Sequence, residues 1–89
     1  MKSFPFSGPG FNCYTGVGAN SKVVNCKDIQ NKTKYCMKVT SFGVSTRSCG
    51  LPSEIRKLKA NGQPVPGCKK VGIGKFGIET CVCSEEKCN

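Results

Sequence analysis

Histidine and tryptophan are absent from this chain, and acidic residues are scarce: five Asp and Glu stand against fourteen Lys and Arg. Without histidine there is no imidazole to serve as a general base near neutral pH or as a metal ligand. No C-x-x-C occurs, and the only closely spaced cysteines are Cys81 and Cys83. Structural zinc sites present their ligands in two short-spaced pairs, so no metal is expected. Asp28, Glu54, Glu79, Glu85 and Glu86 form no recognisable acid–base pair, and no serine has a visible partner. No catalytic residue and no cofactor are therefore expected, and the chain reads as a non-enzyme. No apolar run approaches the ~20 residues that cross a bilayer.

What the chain has instead is cysteine: eight in 89 residues. So short a chain buries only a thin core, and this cysteine content points to a disulfide scaffold made in an oxidising compartment. With every cysteine bridged, none is a reactive thiolate. Eight cysteines permit on the order of a hundred complete pairings, so counting alone does not give the connectivity. Asn31-Lys32-Thr33 is an N-glycosylation sequon, a tripeptide that also arises by chance and matters only in the secretory pathway. The opening Met1-Lys2-Ser3-Phe4-Pro5 has neither an apolar run nor a cleavage site, so the expectation is a mature fragment with its leader removed and a Met added. A lipid anchor attached through a removed tail stays open. The net charge of +9 serves solubility or favours anionic partners.

Along the chain, residues 1–12 read as an extended Pro/Gly/Phe-rich arm, with Phe4, Phe6 and Phe11 able to pack on the domain that occupies residues 13–89. Cys13 to Cys26 encloses a strand at Tyr14-Thr15, a glycine-rich turn and a strand at Lys22 to Asn25: a hairpin. Lys27 to Tyr35 reads as a polar surface connector. Cys36 to Cys49 encloses two arms rich in β-branched residues around Ser41-Phe42-Gly43, a second hairpin. Phe42 either folds back on that hairpin or makes an exposed contact. In the insert, Ser53 is the expected N-cap of a helix to Ala60 that docks through Ile55 and Leu58, with Asn61-Gly62 closing it. Cys68 to Cys81 encloses a third hairpin with its tip near Ile73-Gly74-Lys75 and a register weakened by its glycines. The chain closes on Cys81-Val82-Cys83-Ser84-Glu85-Glu86-Lys87-Cys88-Asn89, where Glu85 and Glu86 are expected to be solvated or to answer nearby lysines.

Cys13-Tyr14, Arg47-Ser48-Cys49-Gly50 and above all the closing C-x-x-x-x-C-N from Cys83 to Asn89 resemble the three-finger domains of the lymphocyte-antigen and urokinase-receptor (LU) superfamily and of snake three-finger toxins. The opening Cys-Tyr-Thr-Gly and the C-x-C at Cys81–Cys83 are more similar to the nematode ET module, a small LU-like family. The resemblance implies a small disulfide-rich all-β fold: three hairpin fingers from a four-disulfide knot, with one short helix between fingers two and three. It implies the pairs Cys13–Cys36, Cys26–Cys49, Cys68–Cys81 and Cys83–Cys88, and a hydrogen-bonding role for Asn89 in the knot. The chain departs from the family in lacking an adjacent Cys-Cys and a fifth bridge in finger one, in its longer insert from Gly50 to Gly67, and in having no Trp for the finger-two signature of receptor-blocking neurotoxins.

The function that the resemblance implies is that of a secreted, extracellular signalling or binding protein engaging a receptor, a channel or another cell-surface protein. Candidate contacts are Val17, Phe42, Arg47, Lys69, Lys70, Ile73, Lys75 and Phe76. Phe76 is either an exposed anchor or a core residue packed inward. The alternative is a cationic, cytotoxin-like protein that binds anionic membrane, or a glycosaminoglycan-binding protein, because lysines flank apolar tips. Nucleic acid is disfavoured by the compartment and by the lack of a recognised binding motif.

Overall fold

The computed structural model describes residues 10–89; Phe4 and Phe6 of the expected arm lie outside them. Six strands form one antiparallel sheet: β1 (Asn12–Val17), β2 (Lys22–Asn25), β3 (Cys36–Ser41), β4 (Val44–Cys49), β5 (Gly67–Val71) and β6 (Ile78–Cys83). They make three hairpins, and the spatial order is β2-β1-β4-β3-β6-β5. β1 begins at Asn12, one residue ahead of the first cysteine, and runs through Gly16 and Val17, which pair with Arg47 and Thr46 of β4. Gly16 is therefore a strand residue rather than part of the turn. Its φ is 139°, and a Cβ there would overlap the Asn20 carbonyl oxygen, so the return of the chain needs glycine at this point.

Cystine fills one end of the sheet. Cys13, Cys26, Cys36 and Cys49 are all buried, with Phe11, Leu51 and Cys83 packed against them. Phe11 thus packs on the domain, and its carbonyl accepts from the Cys26 N–H at 2.8 Å. Cys13 is joined to Cys36, Cys26 to Cys49, Cys68 to Cys81 and Cys83 to Cys88, the same pairs that the family resemblance implies. The Cα separations are 5.5, 5.7, 4.0 and 6.1 Å in that order. The bridges differ in access: Cys68 and Cys88 are exposed, whereas both halves of the first two bridges are buried. Limited reduction followed by alkylation and peptide mapping is expected to label Cys68, Cys81, Cys83 and Cys88 first. Early labelling of Cys13 or Cys26 would contradict this packing.

The insert supplies the other part of the core. The helix α1 spans Pro52–Ala60, and Ile55 is buried against Met37 of β3 and Val82 of β6, with Tyr35, Leu58 and Val65 around them. Met37 and Val82 are direct cross-strand partners, so they share the face that α1 covers. Docking matters because an isolated helix this short is marginal. The expected N-cap is corrected here. Leu51 occupies the cap position with no side-chain hydrogen bond, and Pro52 lies at the first helical position. Proline's fixed φ starts the helix one residue before Ser53 could cap it. Single 3-10 turns also occur at Cys26–Asp28 and Gly74–Phe76.

Two side-chain amides add hydrogen bonds to those of the strand ladders. The buried Gln63 donates through Nε2 to the carbonyls of Pro64 (3.3 Å), Gly67 (3.3 Å) and Thr80 (3.0 Å), which ties the insert to β5 and β6. Asn89 accepts from the Tyr14 N–H at 3.0 Å and donates to the carbonyls of Tyr14 (2.9 Å), Met37 (2.7 Å) and Ser48 (3.3 Å). β1 and β4 pair only at Gly16–Arg47 and Val17–Thr46. At Tyr14 the two strands have parted, and the Asn89 amide exchanges two hydrogen bonds with Tyr14 as an opposing strand residue would. The closing loop is fixed as well. Glu86 Oε1 accepts from the Asn12 backbone N–H at 3.0 Å and its side-chain amide at 2.9 Å, and the Lys87 N–H donates to the Asn12 carbonyl at 2.7 Å. Glu86 therefore answers Asn12 rather than a lysine.

Candidate binding surface

The turn of the second hairpin, Ser41-Phe42-Gly43-Val44, has two central residues, with φ of 53° at Phe42 and 76° at Gly43. Two-residue hairpins favour this mirror-image turn because its twist matches that of the strands, and they favour Asn, Asp or Gly in it. Gly43 suits it. Phe42 does not: a left-handed backbone costs a residue with a Cβ roughly 1–2 kcal/mol. The ring recovers nothing from the core, for Phe42 remains 64 % exposed.

Its neighbour comes from the third hairpin. The 3-10 turn Gly74–Phe76 interrupts the chain between β5 and β6 and brings Phe76 beside Phe42. The rings meet edge to face, with centroids 6.0 Å apart and planes at 90°. That is a favourable arrangement for the ring quadrupoles. Phe76 is 69 % exposed, which settles its two sequence readings in favour of the surface. Lys75 Nζ lies 5.6 Å from the Phe76 centroid, within cation–π range. Ile73, at 87 %, is the most exposed of the large apolar side chains described.

Beside the Phe42 ring runs an open groove of about 340 Å³, lined by Thr40, Phe42, Gly43, Lys70, Gly74, Lys75, Gly77 and Glu79. The register explains its polar floor: Thr40 faces Ser45 and Glu79, and Glu79 faces Lys70, so these side chains form one row on one face. The adjacent row lies on the opposite face and contains Val44, Ser41, Ile78 and Val71. Its three hydrophobic members are exposed. The distal end of the sheet is thus two-sided, with an aromatic-rimmed cationic groove on one face and an aliphatic row on the other.

The eight candidate residues do not form one cluster. Phe42, Lys70, Ile73, Lys75 and Phe76 gather at this end. Val17 is exposed at the end of β1, on the face of the aliphatic row. Arg47 is half-buried and occupied: its Nε donates to the Asn89 main-chain oxygen at 2.6 Å and its Nη1 to the Gly18 carbonyl at 3.4 Å. Lys69 is held away from the groove, donating to the Asn61 carbonyl at 2.8 Å just past the end of α1, where a cation is favoured. Lys69 and Lys70 are consecutive strand residues, so they point to opposite faces. Thr40, Glu79 and the row of Val44, Ile78 and Val71 were not singled out from the sequence. Strand alternation marks the β-branched residues, but not which strands become neighbours.

Cys68, Cys81 and Glu79 lie close enough together to suggest ligands, but both sulfurs are bridged and offer no thiolate. The chain matches no family model, no curated protein and no solved structure.

Proposed function

We propose that this chain is a secreted three-finger binding protein of LU type that engages an extracellular or cell-surface protein through the tips of its second and third hairpins. The observation that carries the reading is the exposed Phe42–Phe76 pair, with Phe42 held in a backbone conformation that the fold itself does not reward. Strain of that kind, maintained at a solvent-exposed tip, is a mark of function. The three-finger assignment is supported by the three hairpins, by the four pairings and by the Asn89 amide bound among β1, β3 and β4. The extracellular assignment is supported by the four bridges, and no described helix is long and apolar enough to cross a membrane. The bridged end supplies rigidity, so contacts at the tips form with little ordering cost.

A second reading has its own observation. Ile73 and Phe76 project beside Lys75 and near Lys70, a set able to enter a lipid headgroup layer and meet anionic charge there. Two measurements separate the readings. The folded chain and its Phe42→Ala/Phe76→Ala variant are compared for binding to an array of purified extracellular domains, and both are sedimented with anionic and neutral liposomes. Saturable binding to a protein domain that the variant loses supports the first reading. Salt-sensitive binding to anionic liposomes with leakage, and no protein partner, would replace it with the second.

A further inference from the structure

The segment between the first two hairpins contains an unexplained side chain. Thr33 is completely buried, at 0 % exposure, and among the described residues its hydroxyl has no hydrogen-bond partner. Its backbone N–H donates to the Gln30 carbonyl at 3.0 Å, closing a turn with Asn31 and Lys32 at its centre. Both central residues are exposed. A buried hydroxyl without a partner is destabilising, and valine would fill nearly the same space without that penalty. Packing in the folded state therefore gives no reason for an oxygen atom here.

Chemistry that acts before folding does give one. A hydroxyl two residues after an asparagine is half of the N-glycosylation acceptor. We propose that Asn31 carries an N-linked glycan, that the transfer takes place on the unfolded chain, and that position 33 is threonine because its hydroxyl is needed at that step. In the transfer, Asn31 Nδ2 bonds to C1 of an oligosaccharide linked to a lipid pyrophosphate. The C1–O bond to the pyrophosphate breaks, the lipid pyrophosphate departs, and the amide nitrogen releases one proton to the transferase. Folding then withdraws the Thr33 hydroxyl. Cys26 and Cys36 bound the segment on either side, and once they are bridged to Cys49 and Cys13 the threonine lies inside. The glycan stays outside on the exposed Asn31. It projects from the Cys36 end of β3, whereas the Phe42 turn follows the Ser41 end, so it leaves the groove open.

The inference shares with the proposed function its premise of a secretory compartment, and the test supplies that compartment independently. The full chain behind a heterologous leader is translated into microsomes. Wild type is expected to gain one glycan that an amidase for N-linked sugars removes; Asn31→Gln and Thr33→Val gain none, and Thr33→Ser gains it at reduced yield. Offered to detergent-solubilised microsomal transferase with a lipid-linked oligosaccharide, the reduced chain is modified and the folded, oxidised chain is not. In unglycosylated refolded protein, Thr33→Val is expected to raise Tm by about 4 °C or more. No glycan on the wild-type chain in microsomes overturns the site and leaves the finger-tip binding reading untouched. Equal modification of reduced and oxidised chains overturns the order of events. A Thr33→Val variant that melts below wild type overturns the claim that the hydroxyl serves no folded-state role.

Discussion

Asn89→Ala is expected to lower unfolding stability by about 3 kcal/mol, the sum of several buried hydrogen bonds and of backbone groups left unpaired. The substitution removes the partner of the Tyr14 N–H and the donor to the Tyr14, Met37 and Ser48 carbonyls, which belong to β1, β3 and β4. Water reaches this position poorly, because Tyr14, Ser48 and Asn89 are themselves partly buried and Met37 is buried. Asn89→Asp separates the two halves of the effect. It keeps an oxygen for the Tyr14 N–H but loses both amide hydrogens and sets a negative charge against the carbonyls. It should therefore cost at least as much as alanine. Urea unfolding with the bridges intact measures both variants. A loss below about 1 kcal/mol for Asn89→Ala would mean that water replaces the amide at little cost and that the parting of β1 from β4 is not held by this residue.

At the tips the expected effects on binding and on stability have opposite signs. Phe76→Ala and Phe42→Ala should each weaken the partner complex by about 1–3 kcal/mol, the usual effect of truncating an anchoring aromatic. Neither should lower thermal stability much, since both rings are exposed. Phe42→Asn is the sharper test. Asparagine accepts the left-handed backbone that phenylalanine resists, so the hairpin should gain roughly 0.5–1 kcal/mol while binding falls. Because the rings touch, the double variant should lose less binding energy than the sum of the two single variants. Calorimetry on the free proteins and titration against the partner read the two effects separately. If Phe42→Asn destabilises the chain, the ring is structural; if it leaves affinity unchanged, the contact face lies elsewhere, with the aliphatic row of Val44, Ile78 and Val71 the next surface to test.

The three hairpins were legible in the sequence because each is bounded by cysteines and built of β-branched arms around a glycine-bearing turn. The docking of the insert was legible too, since Ile55 and Leu58 are the two apolar residues on one helix face. Ser53 is not the cap because serine's preference for capping competes with proline's preference for the first helical position, and Pro52 stands one residue earlier. Of the three candidate lysines only Lys70 and Lys75 line the groove, because strand parity turns Lys69 to the opposite face from Lys70. The groove was not legible, because it depends on β3 lying beside β6, which brings Thr40 opposite Glu79 across a long stretch of sequence. The occupation of Arg47 depends likewise on where the closing residues return. Thr33 carries no sign of burial in its polar surroundings.

The sheet is a single layer, and α1 covers only part of one face. Among the described residues the buried apolar side chains are Met37, Ile55 and Val82 in one cluster and four half-cystines in the other. Unfolding with the bridges intact therefore exposes little new hydrocarbon, which makes both the denaturant slope and the heat-capacity change small for a chain of this length. Stability then varies only gently with temperature and with urea, and the transitions are broad. A thiol reductant acts differently, for it removes the constraint and the larger cluster together. The folded state is governed less by heat than by the thiol–disulfide balance of the fluid around it.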